Sequence, residues 1–227
     1  MNIGVDAREI QNGVTTGIGR SLDNFVQYFD KFDSKNRLVL FSEKEISIKF
    51  GNKIDKIIIN KDFKFIWDQI RLPLAIKKNK IDLFYSPYCK IPLISGVMAV
   101  NQVLDLMYLA FPPYKKSLGL AKRIYWSVLG RMFSKKSKLT ITDSLHAKND
   151  IIRFWNIEQE KIVVIPLGVS KNFYEVKDME LLENVRSKYN LPDKYILYLG
   201  NFKLHKNVES LIQAFAKLDK KFVEYYL

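Results

Sequence analysis

Tyr195–Phe215, YILYLGNFKLHKNVESLIQAF, reads as an apolar strand, a glycine-containing turn with a lysine in it, and an amphipathic helix. A strand that feeds a helix through such a turn is how nucleotide-binding α/β domains open, because the helix N-terminus favours a phosphate. Twelve residues after Phe215 the sequence reaches Leu227, inside KFVEYYL, which reads as the start of another strand. A parallel sheet needs several strand–helix units before both its faces are covered. The expectation is a second α/β domain of which residues 193–227 hold only the beginning.

Upstream the same alternation recurs. Strands are expected at Asn2–Asp6, Arg37–Phe41, Lys56–Asn60, Ile81–Ser86, Val97–Val103, Lys138–Thr142, Lys161–Ile165 and Tyr195–Leu199. Helices are expected at Gly19–Asp30, Phe65–Lys78, Lys115–Lys136, Leu145–Trp155, Met179–Tyr189 and Asn207–Leu218. This pattern argues for an α/β fold with a Rossmann-like, mostly parallel sheet and helices on both faces. A first domain would cover residues 1–168, a polar linker with a short helix 169–192, and an incomplete second Rossmann-like domain 193–227.

The 227 residues are 48% hydrophobic and 13% aromatic, enough to bury a sizeable core and to exclude a disordered chain. Cys89 is the single cysteine, so no intrachain disulfide forms, which fits a reducing cytosol. Asp6 and Glu9 interrupt any signal-peptide core in MNIGVDARE. The most apolar stretch, Ile91–Phe111, is broken by Pro92, Gly96, Asn101, Gln102 and Asp105 and makes a poor transmembrane span.

The net charge is +13, and eight basic residues with no acidic one lie between Tyr114 and Lys138. Leu118, Ala121, Tyr125, Val128 and Met132 recur at helical spacing there, widened by Ile124, Leu129 and Phe133, so one apolar stripe is expected. Three readings stay open for 115–138. It is a solvated basic face with its apolar side in the core, a contact with an anionic membrane surface, for which Tyr125 and Trp126 suit an interfacial depth, or a nucleic-acid surface. No nucleic-acid motif accompanies the charge, so nucleic acid is not expected as a partner.

Two turns carry candidate chemistry. Thr15-Thr16-Gly17-Ile18-Gly19-Arg20 follows the first strand and opens a helix, where glycines admit a ligand close to backbone N–H groups. It is not a full G-x-G-x-x-G, because Leu22 holds the last position. In Gly200–Asn207, GNFKLHKN, Lys206 stands beside a helix N-terminus, where it can hold a phosphate as a point charge or simply be solvated.

Four blocks in order, IGVDAREI…TTGIGR, WDQIRLPLAIKKNKIDLFYSPYCKIPL, ITDSLHAKNDIIRFWNIEQEKIVVIPLGV and YILYLGNFKLHKN, resemble the N-terminal portion of the retaining glycosyltransferases with the GT-B fold, family four in the usual sequence classification. The resemblance implies two Rossmann-like domains facing each other, with a nucleotide-sugar donor mainly on the second and a glycan or lipid-linked acceptor mainly on the first. It implies that Gly17 and Gly19 lie over the donor phosphates and the acceptor, with Arg20 on the acceptor side. Lys206, with Asn201 beside it, would neutralise the departing diphosphate, so that no metal or other cofactor is required. Ser144 would face the cleft, and Pro166 and Gly168 would form the turn into the linker.

The departures from that pattern are specific. Where the family has His-Asp after its fifth strand, this chain has Leu104-Asp105. Leucine neither accepts nor donates a hydrogen bond, and Asp105 reads equally as a site carboxylate or a helix cap. Tyr85 replaces another frequent histidine, and Asn201 a frequent arginine. The family's E-x7-E pair belongs deep in its second domain. Glu175 and Glu183 share that spacing but fall in the linker and are read as coincidence. His146 and His205 lie far apart with no partner cluster, so no metal site is expected. Cys89 has no nucleophile context.

The resulting expectation is a hexosyltransferase-like glycosyltransferase of cell-surface polysaccharide or glycolipid synthesis. It is cytoplasmic or peripheral on the inner face of the membrane. The chain alone is expected to be inactive for want of the donor region unless a separate chain supplies it. A non-catalytic acceptor-binding domain, or a decayed remnant, is the alternative.

Overall fold

The computed structural model describes residues 1–10, 16–33, 35–47, 50–170, 173–218 and 226, with 115–117 described in backbone only. The chain divides into two compact units, Met1–Leu167 and Gly168–Leu227.

The first unit runs β1 (Asn2–Asp6), α1 (Gly17–Phe32), β2 (Arg37–Ser42), β3 (Ile54–Ile58), α2 (Lys64–Ile66), a π turn (Trp67–Arg71), α3 (Leu72–Lys78), β4 (Leu83–Ser86), β5 (Met98–Gln102), α4 (Met107–Ala110), α5 (Pro112–Leu118), α6 (Leu120–Lys136), β6 (Leu139–Thr142), α7 (Leu145–Trp155) and β7 (Ile162–Val164). All seven strands are parallel, in the order β3-β2-β1-β4-β5-β6-β7. Val5 of β1 pairs with Leu40 on one side and Tyr85 on the other. The order reverses direction between β1 and β4, which is the switch point of an open α/β sheet.

Alternation along β2 shows how both faces are covered. Leu38 and Leu40 join Val5, Leu22, Val26 and Phe29 beneath α1. Val39 and Phe41 point the other way, into Trp67, Leu72, Ile76 and Phe84. Beyond the switch point, Ile151 and Trp155 of α7 pack with Val103 and Leu106, and Phe133 of α6 packs with Ala99 and Ile91.

The helix expected over Lys115–Lys136 is interrupted. Gly119 sits at φ +74°, a conformation cheap only for glycine, and separates α5 from α6. The apolar stripe reaches the core only in part, through Phe133 with Leu129 packed beside it. Tyr125, Val128, Met132 and Ile124 are exposed, and the residues of α6 that are buried are Gly130, Phe133 and Ser134. The side chains of Lys115 and Lys116 lie outside the described residues. Among the described residues no helix is long and apolar enough to cross a membrane.

The second unit holds α8 (Met179–Tyr189), a 3₁₀ turn at Leu204–Lys206 and α9 (Val208–Ala216). Asn190, just after α8, takes the left-handed conformation that asparagine tolerates. The strand expected at Tyr195–Leu199 is reduced to a parallel bridge between Tyr195 and Tyr226. Ile196 N–H donates to the Tyr226 carbonyl at 2.7 Å, while Leu197 and Leu199 stay exposed. A strand is defined by its ladder, and the described residues supply one rung. The rest of the strand expected in KFVEYYL, residues 221–225 and 227, lies outside the described residues.

Candidate functional site

The carboxyl edge of the first unit's sheet gathers the ends of β1, β4 and β5 with the N-terminus of α1. Thr16 caps α1 by accepting a hydrogen bond from Gly19 N–H at 3.0 Å, and its hydroxyl donates to the Glu9 carboxylate at 2.5 Å. Gly19 is required by packing, because a Cβ there would collide with the Glu9 carbonyl oxygen and stand 3.3 Å from Thr16 Oγ1. Gly17, two residues earlier, meets nothing within 4 Å among the described residues. The paired glycines therefore have different reasons. Gly19 lets the helix sit on the β1 loop, and among the described residues nothing crowds Gly17 at the helix N-terminus, where a ligand's negative charge is favoured. Arg20 is exposed in the first turn of α1, and residues 11–15 of the preceding loop, Thr15 included, lie outside the described residues.

Arg8, just after β1, is the electrostatic centre of this edge. Its Nε donates to Asp6 Oδ1 at 2.9 Å, and its Nη2 lies 2.5 Å from Asp6 Oδ2 and 2.7 Å from Asp68 Oδ1. The guanidinium also lies over the Trp67 ring, 3.8 Å from its centroid. Burial acts to lower its proton affinity, but the hydrogen bond and charge of Asp6, joined by those of Asp68, outweigh this and raise it. With both carboxylates holding it, Arg8 is a strut of the site and not a free cation for a ligand.

Asp68 and Gln69 belong to the π turn, and sequence reasoning quoted them without assigning a role. Asp68 also pairs with Lys90 at 3.7 Å. Gln69 donates to the Ile91 carbonyl at 3.1 Å and accepts from Leu93 N–H at 2.9 Å, so its amide serves the crossover 87–97 as a neighbouring strand would. That crossover has no helix of its own. It is also held by Lys136, which donates to the Leu93 carbonyl. The available signal was spacing. Trp67 and Leu72 are five apart and enter the same core cluster, which a π turn allows and an α-helix does not.

The pinned crossover forms one wall of a cavity of about 460 Å³ that Ile18, Tyr88, Lys90, Leu104, Asp105 and Trp126 also line. Lys90 Nζ stands 5.8 Å from the Trp126 ring centroid. The opposite wall is the inner face of α6, fixed by a buried polar chain. Asn101 Nδ2 donates to Ser134 Oγ at 3.0 Å, and Thr140 Oγ1 donates to Asn101 Oδ1 at 2.8 Å. Leu104 contributes only apolar surface where the family pattern has histidine. Asp105 is exposed at the cavity, and its Oδ1 accepts from Met107 N–H at 3.0 Å, so it both caps that turn and presents a carboxylate.

Tyr85 is turned to structure. Its hydroxyl donates to Gln102 Oε1 at 2.7 Å, its ring lies 5.4 Å from that of Phe25, and burial pushes its pKa up to about 12. Tyr88 is likewise raised, first by burial and then by the charges of Asp6 and Glu9. Ser144 caps α7 by accepting from Ala147 N–H at 3.2 Å and is not among the cavity's lining residues.

The remaining sequence-expected residues belong to the second unit. Lys206 is exposed at the end of the 3₁₀ turn, one residue before Asn207, which leads into α9 at φ +50°. The Asn201 carbonyl accepts from the Tyr198 hydroxyl at 2.7 Å, and its side chain accepts from Lys203 N–H at 3.3 Å. Glu175 pairs with Lys177 at 3.7 Å ahead of α8, which carries Glu183.

No protein-family model matches this chain. It is similar to the O-antigen chain mannosyltransferase B of Escherichia coli, 34% identical over 83 residues that make up 36% of this chain and 22% of that protein. Its fold resembles that of WaaG, a glycosyltransferase involved in lipopolysaccharide biosynthesis, with a TM-score of 0.67 and 13% identity over 100% of this chain and 62% of that one. It also resembles HepE of Anabaena, solved in complex with UDP and glucose, with a TM-score of 0.64 and 13% identity over 99% of this chain and 59% of that one. The chain thus spans about three-fifths of these solved neighbours and a tenth to a fifth of the curated relatives it matches. Its fold is that of the matching portion of these glycosyltransferase structures.

Proposed function

We propose that the whole protein is a glycosyltransferase that moves a sugar from a nucleotide-sugar donor to a glycan or lipid-linked acceptor in cell-surface polysaccharide synthesis, with retention at the anomeric carbon. The observation that carries this reading is the cavity at the carboxyl edge of the sheet, beside the switch point and the open N-terminus of α1, in a chain similar to a mannosyltransferase. Open α/β sheets bind their ligands at that place.

In this reading the acceptor occupies the cavity. Gly17 admits it, or the donor phosphates, to the N-terminus of α1, and Arg20 and Ser144 flank the approach. As the glycosidic bond to the diphosphate breaks, negative charge grows on the leaving oxygen. Lys206 and the backbone dipoles at the start of α9 offset that charge, with Asn201 shaping the turn, so the step needs no metal. Asp105 is the carboxylate placed to receive the acceptor hydroxyl's proton. In the same reading the reaction takes place on the cytoplasmic side of a membrane.

The test is incorporation of labelled sugar from a panel of nucleotide sugars into glycan and glycolipid acceptors by the whole protein. Lys206→Ala is expected to lower kcat about 100-fold or more, the loss typical of a removed transition-state donor. Transfer that is absent across the panel, or indifferent to Lys206→Ala, overturns the reading.

Leu104 favours one second reading, a non-catalytic acceptor-binding domain or a decayed remnant, since its side chain supplies no hydrogen-bonding group at that position of the cavity. Glycan binding with no turnover by the whole protein would select it.

A further inference from the structure

Gln102, at the end of β5, carries a carboxamide of which the fold engages only one end. Its Oε1 accepts from the Tyr85 hydroxyl at 2.7 Å. Its Nε2 makes no hydrogen bond among the described residues, although the residue is only 8% exposed. That nitrogen is not sealed from solvent, and the side chain lines the cavity, so its N–H groups open there. Tyr85 fixes which end of the amide faces the cavity. Turned end for end, the amide would donate to the phenol oxygen and leave the phenol's own proton without an acceptor, which is costly for a buried donor. Burial keeps that proton in place, with the phenol pKa pushed up to about 12. The ring is held in turn beside Phe25, 5.4 Å between centroids.

We infer that Gln102 is a specificity-determining residue of this cavity, donating from Nε2 to a hydroxyl oxygen of a neutral sugar unit in the acceptor, with Tyr85 as the positioning residue that aims it. The inference rests on the reading that the acceptor occupies the cavity. Asp105, three residues on and exposed at the same cavity, supplies the complementary hydrogen-bond acceptor. A hydroxyl both donates and accepts, so one amide and one carboxylate set in largely apolar walls suit a polyol. An acidic sugar or a sugar phosphate is disfavoured. Lys90 is the one cation among the lining residues described, and its ammonium already stands 3.7 Å from Asp68. A negatively charged ligand would therefore meet Asp105 without an unpaired cation to offset it.

The experiment is nuclear magnetic resonance of the full chain carrying isotope-labelled glutamine, with the Gln102 side-chain amide assigned by its loss in Gln102→Leu. Methyl glycosides of mannose, galactose and glucose are titrated in without donor, followed by methyl glucuronide and mannose 6-phosphate. At least one neutral glycoside is expected to shift the Gln102 amide and to bind more tightly than either anion. Gln102→Leu and Gln102→Glu should each weaken that glycoside about 10-fold, the loss of one hydrogen bond. Tyr85→Phe should weaken binding and shrink the shift at Gln102, a readout that a purely structural hydroxyl would leave alone. Circular dichroism checks that each variant folds, and the shifts in the unsubstituted chain decide the matter if one does not. No shift at Gln102 with any neutral glycoside, tighter binding of an anion, or unchanged affinity in Gln102→Leu would each overturn the inference. In the transfer assay of the whole protein, Gln102→Leu should raise the acceptor KM about 10-fold. Transfer with an acceptor KM indifferent to Gln102→Leu would overturn this inference alone. Absence of transfer, with glycoside binding at Gln102 intact, would overturn the transfer reading alone.

Discussion

Gly130 of α6 lies against the ring of Trp155 in α7, so closely that a Cβ there would stand 2.5 Å from Cη2, and 3.1 Å from Cys89 Sγ. Replacing a mid-helix glycine by alanine ordinarily stabilises a helix by about 1 kcal/mol. Here the ring is buried and cannot yield, so overpacking of about 1–3 kcal/mol should win. Gly130→Ala is expected to lower the denaturation midpoint, and a raised midpoint would show that α6 can lift away from α7.

The two glycines of the first turn should separate by experiment. Gly19→Ala drives a methyl into the Glu9 carbonyl and should destabilise by about 1–3 kcal/mol. Gly17→Ala has room and should leave the melting curve in place while weakening binding of nucleoside diphosphate or acceptor. Equal melting losses in both variants would refute the distinction.

Arg8→Ala leaves the buried Asp6 without its cation and Asp68 with Lys90 alone, a loss that costs about 3–5 kcal/mol. Urea denaturation should show it, and adding Asp68→Asn should restore part. A loss under about 1 kcal/mol would mean that the cluster is solvated like a surface pair.

Gln69→Ala strips the Ile91 carbonyl and the Leu93 N–H of their partner at once. A loss of about 1–3 kcal/mol per unsatisfied buried group is expected. Hydrogen exchange at the Leu93 amide should accelerate before global unfolding does. Unchanged exchange there would mean that the crossover holds itself.

Alkaline titration offers a check on burial. The Tyr85 phenol is raised from 10.0 to about 12 by burial, so the folded state keeps a proton that the unfolded state releases first. The stability linked to Tyr85 is full below pH 10 and is lost as pH rises towards 12. Tyr85→Phe should flatten that part of the curve, with ionisation followed by ultraviolet absorbance. A phenol that titrates near its ordinary value in the folded chain would contradict its placement.

Much of this was legible because local and tertiary demands agree. The expected Asn2–Asp6, Leu145–Trp155 and Met179–Tyr189 are formed over those same residues. The apolar run at β1 belongs to a strand buried on both faces, and Ser144 and Asp178 cap the two helices. Where reading failed, the deciding contact was distant in sequence. Periodicity over 115–138 locates apolar residues but not the core. Here the core is fixed by Gly130 on Trp155 and by Ser134 on Asn101. One glycine conformation at Gly119 splits what looked like one helix. Gln69 drew no assignment because its partners lie 22 and 24 residues away. Asp105 could be read as cap or carboxylate, and the fold lets it be both.

The pinning of 87–97 by a side chain of the π turn has a consequence for how this cavity can change. A wall carried on a self-supporting loop can be exchanged by swapping the loop. Here the loop's hydrogen-bond partner is stored in another element, so a transplanted 87–97 segment would arrive without its template unless Gln69 came with it. New specificities should therefore be reached more readily by point changes at Tyr88, Lys90 or Leu104 than by grafting. Libraries that hold Trp67–Arg71 constant should retain more folded members than those that vary it.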